Sequence, residues 1–117
     1  MELKAAIACL SALAHDTRLS VFRMLVHAGA EGLPAGEIAR ATGVLPNTLS
    51  SNLNILSAAG LVTSRRDGRS IIYSAAYDRM SDLLAFLMED CCAGSPLICG
   101  PLAELASRSC APNTQRC

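Results

Sequence analysis

Three cysteines, Cys91, Cys92 and Cys99, fall within one short stretch, DCCAGSPLIC, that begins at Asp90. Thiolates are soft donors, so such a cluster is a ligand set for a thiophilic ion, a disulfide, a reactive thiol or an accident of composition. Neighbouring residues in a helix diverge by about 100°. With metal–sulfur bonds of roughly 2.3 Å, the sulfurs must come within about 4 Å of one another. A helix therefore has to end near Cys91 and Cys92, and Gly94 and Pro96 let the chain turn back to bring in Cys99. A disulfide between sequence neighbours is strained, whereas Cys92–Cys99 is sterically open. Nucleophilic chemistry is disfavoured, because Glu89, Asp90 and a helix C-terminus oppose the thiolate such chemistry requires. The expectation is a protein that is not an enzyme and needs no catalytic cofactor.

A second group of residues points to a different task. In PNTLSSNLNILSAAG, which starts at Pro46, Leu49, Leu53 and Leu56 share one helical face. The opposite face is read as Asn47, Thr48, Ser50, Ser51, Asn52 and Asn54. Ser, Thr and Asn are poor helix formers, and a solvated surface would be built more stably from Glu and Lys. A face kept small and hydrogen-bonding suits a DNA major groove. Arg65, Arg66 and Arg69 then crowd the tip of a hairpin marked by Asp67–Gly68, where they suit phosphates or a minor groove.

These residues need elements to hold them. Leu3, Ile7, Leu10 and Ala14 form a narrow apolar stripe, a terminal helix of the kind that packs against a partner subunit. Asp16 is expected to be the N-cap of a second helix with Leu19, Phe22, Leu25 and Val26 on one face, closed by Gly29. A short third helix begins near Pro34, turns Ile38 and Ala41 inward and ends at Gly43. After Gly43, Val44 and Leu45 comes the polar-faced helix, with Pro46 at its first position. Period-two alternation from Leu61 to Arg65 and a second run, Ser70 to Ser74, give the hairpin. Tyr77, Met80, Leu84, Leu87 and Met88 mark a last helix from about Asp78 to Asp90. The order helix, helix, short turn, helix, hairpin is that of a winged helix-turn-helix, a mainly α fold with a small β-hairpin. The expected division is a DNA-binding and dimerisation domain over residues 1–90 and a cysteine-rich tail over residues 91–117.

Composition is compatible with both tasks. A chain of 117 residues has room for a modest core. Four of the six cysteines lie between Cys91 and Cys110, so they do not staple the body of the chain. No basic-plus-apolar leader opens the sequence, and the apolar run Leu83 to Met88 is six residues, too short to span a bilayer. A cytoplasmic protein with no membrane partner is expected, and clustered cytosolic cysteines more often bind metal or sense redox state than form bridges. The formal net charge is zero, but its distribution is not uniform. Asp16 to Arg69 carries six arginines against four acids, while Ser70 to Ala106 carries one arginine against five acids.

The runs ALAHDTRLSVFRML, EIARATG and LSSNLNILSAAGLVTSRRDGRSIIYS resemble, in this order, the ArsR/SmtB family of metal- and metalloid-responsive repressors. The resemblance extends from about Ala12 to Leu87. It implies a homodimer, joined through first and last helices, that reads an inverted repeat in double-stranded operator DNA. By position it implies that Thr48, Ser50, Ser51 and Asn52 face the bases, with Arg65, Arg66 and Arg69 at the wing. Asn52 stands where many relatives carry His. The family's Cys-x-Cys arsenic site before the recognition helix is absent from AGEIARATG. The zinc-type site is incomplete, since Asp78 and Asp82 have no His beside them and the histidines are His15 and His27, read as surface or cap residues. Cys91 and Cys92 plus Cys99 resemble the site of a subgroup of arsenite-responsive repressors. That resemblance implies arsenic(III), as arsenite or methylarsenite, as the inducer bound by Cys91, Cys92 and Cys99. Alternatives on the same fold are a redox or persulfide sensor and a cadmium or lead sensor. Cys9 is expected to be buried packing, and Cys110 and Cys117 to be weaker ligand candidates.

Overall fold

The computed structural model describes residues 1–91 and Glu104. The chain falls into two compact units, Met1–Leu83 and Leu84–Cys117. The elements are α1 (Leu3–Leu13), α2 (Asp16–Ala28), a 3-10 turn (Gly29–Glu31), β1 (Leu33–Pro34), α3 (Ala35–Thr42), α4 (Pro46–Ala58), β2 (Val62–Asp67), β3 (Ser70–Ala75) and α5 (Tyr77–Cys91). This is a winged helix-turn-helix, mostly helical with a three-stranded antiparallel sheet ordered β1-β3-β2.

The core of the first unit is aliphatic with one aromatic ring: Phe22 and Leu25 from α2, Ile38 from α3, Leu49, Leu53 and Leu56 from α4, then Leu61, Val62, Ile72 and Leu83. Periodicity misplaces residues on α2 and α3 but not on α1, whose buried face is Ala6, Cys9 and Ala12 and whose Leu3, Ile7 and Leu10 are exposed, as a partner-facing stripe is expected to be. Small side chains let α1 approach its neighbours closely, so the larger residues are the ones turned out. On α2 the core positions are Val21, Phe22 and Leu25, with Leu19 and Val26 outside, and Ala41 of α3 is exposed. Cys9 is fully buried, and its thiol donates to the Ala59 carbonyl at 3.5 Å.

The helix ends follow from local chemistry. α2 is capped by His15, whose Nδ1 accepts from the Thr17 amide at 3.2 Å, and Asp16 sits one position further in, where a negative charge complements the helix dipole. Pro46 occupies the first turn of α4, where its missing N–H costs nothing. α4 ends in a Schellman motif. The Leu61 amide donates to the Leu56 carbonyl at 3.0 Å, the Gly60 amide to the Ser57 carbonyl at 2.9 Å, and Gly60 takes φ +80°. Leu56 and Leu61 supply the apolar contact that accompanies this motif, and both are fully buried.

The hairpin is displaced by one residue from the position Asp67–Gly68 suggested. Asp67 pairs with Ser70, so the two-residue loop is Gly68–Arg69, with Gly68 at φ +63° in the first loop position. The third helix, expected to begin near Pro34, starts at Ala35, and Leu33 and Pro34 instead form β1, paired with Tyr73 and Ile72. Proline is tolerated there because β1 is an edge strand.

Candidate nucleic-acid interface

The helix-turn-helix is α3 and α4, joined by Gly43, Val44 and Leu45, with Gly43 in the left-handed conformation at φ +71°. Asn47, Thr48, Ser50, Ser51 and Asn54 are exposed on α4. They present hydroxyls and amides with no charge, able both to donate and to accept.

Asn52 is a correction. It is 6% exposed, on the inner side of α4. The spacing explains why: Leu49, Asn52, Leu53 and Leu56 form an i, i+3, i+4, i+7 stripe, and Asn52 lies only about 60° round the helix from Leu49. Side-chain polarity had placed it outside, although its register places it inside. Its Oδ1 accepts from Arg18 Nη1 at 3.2 Å, and Arg18 Nε donates to the Ala12 carbonyl at 2.6 Å. One part-buried guanidinium thus ties together α1, α2 and α4. Arg18 was read from sequence only as a positive charge; the polar residue in the apolar stripe of α4 was the sign that it had a partner.

The wing carries Arg65, Arg66 and Arg69, all exposed. Arg66 pairs across the hairpin with Ile71, and Arg69 sits in the loop itself. Arg65 is partly committed: its Nη2 donates to the Glu31 carbonyl at 2.8 Å, fixing the wing to the 3-10 turn. A guanidinium has five N–H donors, so this bond does not exhaust it.

The C-terminal end of α4 is tied to α1 and α5 through one carbonyl. The Ala59 carbonyl accepts from both Cys9 of α1 and Arg79 Nε of α5, the latter at 3.1 Å. A cation at a helix C-terminus also complements the macrodipole.

The thiol set lies outside the described residues. α5 runs to Cys91, the side chain of Cys91 is not described, and Cys92 and Cys99 lie beyond, as do Cys110 and Cys117. Among the described residues, no group of three His, Cys, Asp or Glu side chains is placed to hold a metal ion. No described helix is long and apolar enough to cross a membrane.

Comparison with known proteins fits this geometry. Residues 13–65 match the family described as Helix-turn-helix domain. The HTH-type transcriptional regulator YgaV of Escherichia coli (strain K12) is 34% identical over 87 residues, spanning 74% of this chain and 86% of that protein. A putative arsenical resistance operon repressor ArsR of Halobacterium salinarum is 40% identical over 67 residues, 57% of this chain and 51% of that one. The solution structure of the homodimeric winged helix-turn-helix DNA-binding domain of Mb0332 from Mycobacterium bovis, a possible ArsR-family transcriptional regulator, is 31% identical. It superposes with a TM-score of 0.62, covering 75% of this chain and 81% of that one. With a winged helix-turn-helix, a small polar face on its recognition helix and relatives of this kind, the chain belongs to the ArsR family of transcriptional regulators.

Proposed function

We propose that the chain is a homodimeric, cytoplasmic repressor that holds operator DNA and releases it when trivalent arsenic binds Cys91, Cys92 and Cys99. The observation that carries the DNA half is the juxtaposition of an uncharged, hydrogen-bonding face on α4 with Arg66 and Arg69 on the wing. Asn47, Thr48, Ser50 and Ser51 read base edges in an inverted repeat, and the arginines hold phosphates. Asn52 is assigned to the support of α4 rather than to the bases. The dimer reading is supported by the exposed Leu3, Ile7 and Leu10 on α1, at 63%, 53% and 43%, and by the homodimeric Mb0332 domain. Leu84 and Leu87, in the second unit, are exposed as well.

The inducer half rests on the donor set and on the likeness to the arsenical-resistance repressor. Three soft thiolates match the three bonds of trivalent arsenic, and hard oxygen donors do not replace them. Release follows from linkage. If arsenite weakens DNA binding 100-fold, DNA weakens arsenite binding by the same factor, about 2.7 kcal/mol.

The test is release of a labelled operator duplex in reductant, titrated with arsenite, methylarsenite, cadmium and lead, for the parent and for Cys91→Ser, Cys92→Ser and Cys99→Ser. Arsenite should release the parent but neither Cys91→Ser nor Cys92→Ser. Methylarsenite has two valences for sulfur, so Cys99→Ser should lose the arsenite response most and keep part of the methylarsenite response. Full arsenite response in the Cys91→Ser, Cys92→Ser double variant refutes the site. Release by peroxide or polysulfide with no arsenite response identifies a redox or persulfide sensor instead, and release by cadmium or lead alone identifies a metal sensor.

A further inference from the structure

Leu45 is a large apolar side chain in an unexpected place. It is 73% exposed, more than Leu3 at 63% or Leu84 at 54%. A single exposed leucine on a protein surface needs no explanation. At this position three observations converge on one. Leu45 is the N-cap of α4, with extended φ −61° and ψ 143°, and its side chain makes no cap hydrogen bond. Ser, Thr, Asp and Asn stabilise that position, so leucine there gives up helix stability. Nor is it needed to fix the entry of the chain. The residues that flank a helix start in a hydrophobic staple are here Val44, half-buried, and Leu49, 2% exposed, and Leu45 is not one of them. Finally, it immediately precedes the exposed first turn of α4, Pro46, Asn47 and Thr48.

In a helix-turn-helix the N-terminal residues of the recognition helix are the ones that reach base edges. The apolar feature that the major groove offers there is the 5-methyl group of thymine. We propose that Leu45 is a specificity-determining residue that packs on a thymine 5-methyl in each operator half-site, beside the hydrogen-bonding contacts of Thr48, Ser50 and Ser51. This inference rests on the reading of α4 as the recognition helix. It adds a larger apolar contact than that face offers, since apart from the Thr48 methyl its hydroxyls and amides gain nothing from a methyl group, whereas an isobutyl side chain removes it from water.

Burying one methyl contributes about 0.8 kcal/mol, which converts to roughly a four-fold change in affinity per half-site. The experiment begins with selection of preferred duplexes from a random pool by the full-length protein. Each thymine of the selected site is then replaced in turn by deoxyuridine, which deletes only the methyl. Expected is one position per half-site at which the parent loses about four-fold and Leu45→Ser loses nothing, while Leu45→Met, still apolar, retains sensitivity. Serine is a preferred N-cap, so the variant keeps its helix and the result is not an artefact of folding. If the selected site is bound but no deoxyuridine weakens the parent, or Leu45→Ser loses as much as the parent at the same position, the inference is overturned and the DNA reading stands. If selection enriches no sequence and Thr48→Ala and Ser51→Ala bind as the parent does, the recognition-helix reading itself fails and the inference with it.

Discussion

Replacing Asn52 by Ala tests whether this residue supports the recognition helix or reads DNA. Its Oδ1 accepts from Arg18 Nη1 at 3.2 Å, and it is 6% exposed. The substitution leaves a part-buried guanidinium short of one acceptor while the 2.6 Å bond from Nε to Ala12 remains. A hydrogen bond to a charged group is worth about 1.5–3 kcal/mol, and its loss exposes the partner's desolvation cost. The expected destabilisation is therefore about 2 kcal/mol. At about 4–8 °C per kcal/mol for a domain of this size, the melting temperature should fall by roughly 10 °C.

The assay is thermal and urea unfolding at fixed protomer concentration, because a dimer's apparent stability depends on concentration. A cycle of Arg18→Met, Asn52→Leu and the double variant isolates the pair. Its coupling should be about 1.5 kcal/mol, with the double variant more stable than the sum of the single losses implies, since no charge is then left without its acceptor. Operator preference, measured on the same proteins, should shift little beyond what weaker folding causes. Unchanged stability in Asn52→Ala together with a changed preferred base would refute the reasoning. It would mean that the side chain leaves Arg18 and turns outward on DNA.

Other outcomes follow from the same geometry. Gly32 and Gly43 both have positive φ, +70° and +71°, but a Cβ on Gly43 meets nothing within 4 Å, whereas one on Gly32 strikes the Tyr73 carbonyl and Ser74 Oγ. Gly43→Ala should cost about 1 kcal/mol from backbone strain alone, and Gly32→Ala clearly more; equal costs in urea titrations would contradict the β1–β3 packing. Arg66→Ala should weaken operator and random duplex alike and flatten the log–log salt dependence by about 0.9 per lost phosphate contact, twice that in a dimer. An unchanged slope would remove Arg66 from the interface. Ile7→Asp, placing a charge in the exposed stripe of α1, should shift sedimentation from dimer to monomer at micromolar concentration, and a parent that is itself monomeric there would refute the dimer.

Much of this fold is legible in the sequence because its signals are local. Pro46 at a helix start, Gly43 and Gly60 just past helix ends, and leucines at positions 49, 53 and 56 locate α3, the turn and α4 without any tertiary information. What escaped reading was decided by packing. Ala6 and Ala12 carry little hydrophobic signal, yet with Cys9, whose burial is legible from its residue type, they form the inner face of α1, because close approach of helices selects small side chains. Leu3, Ile7 and Leu10, legible as a partner-facing stripe, lie on the outer face. Asn52 has a polar side chain at an apolar register, and only the position of Arg18, thirty-four residues earlier, decides which property wins. The two residues of β1 are too few for any period, and their pairing depends on β3, far along the chain. Cys91, Cys92 and Cys99 stay a proposal from residue type and spacing, since their thiols lie outside the described residues.

The arrangement around α4 separates holding from reading. Its C-terminal end is bound by the Schellman motif at Gly60, by Cys9 from α1 and by Arg79 from α5, and its inner flank is bound through Asn52 to Arg18. Among the described residues, no side chain from Leu45 through Ser51 at its N-terminal end hydrogen-bonds within the protein, and all but Leu49 are exposed. A helix fixed at one end points the other with little freedom, which favours specificity because less side-chain and backbone entropy is lost on binding. The same fixings define where the reading end can be disturbed. Gly60 is packed so closely on the Arg79 side chain that a Cβ there would meet Nε at 2.9 Å. A ligand changes DNA affinity only through a difference in its binding to the two states. In the described structure the first turn of α5 meets the end of the recognition helix through the bond from Arg79 to the Ala59 carbonyl.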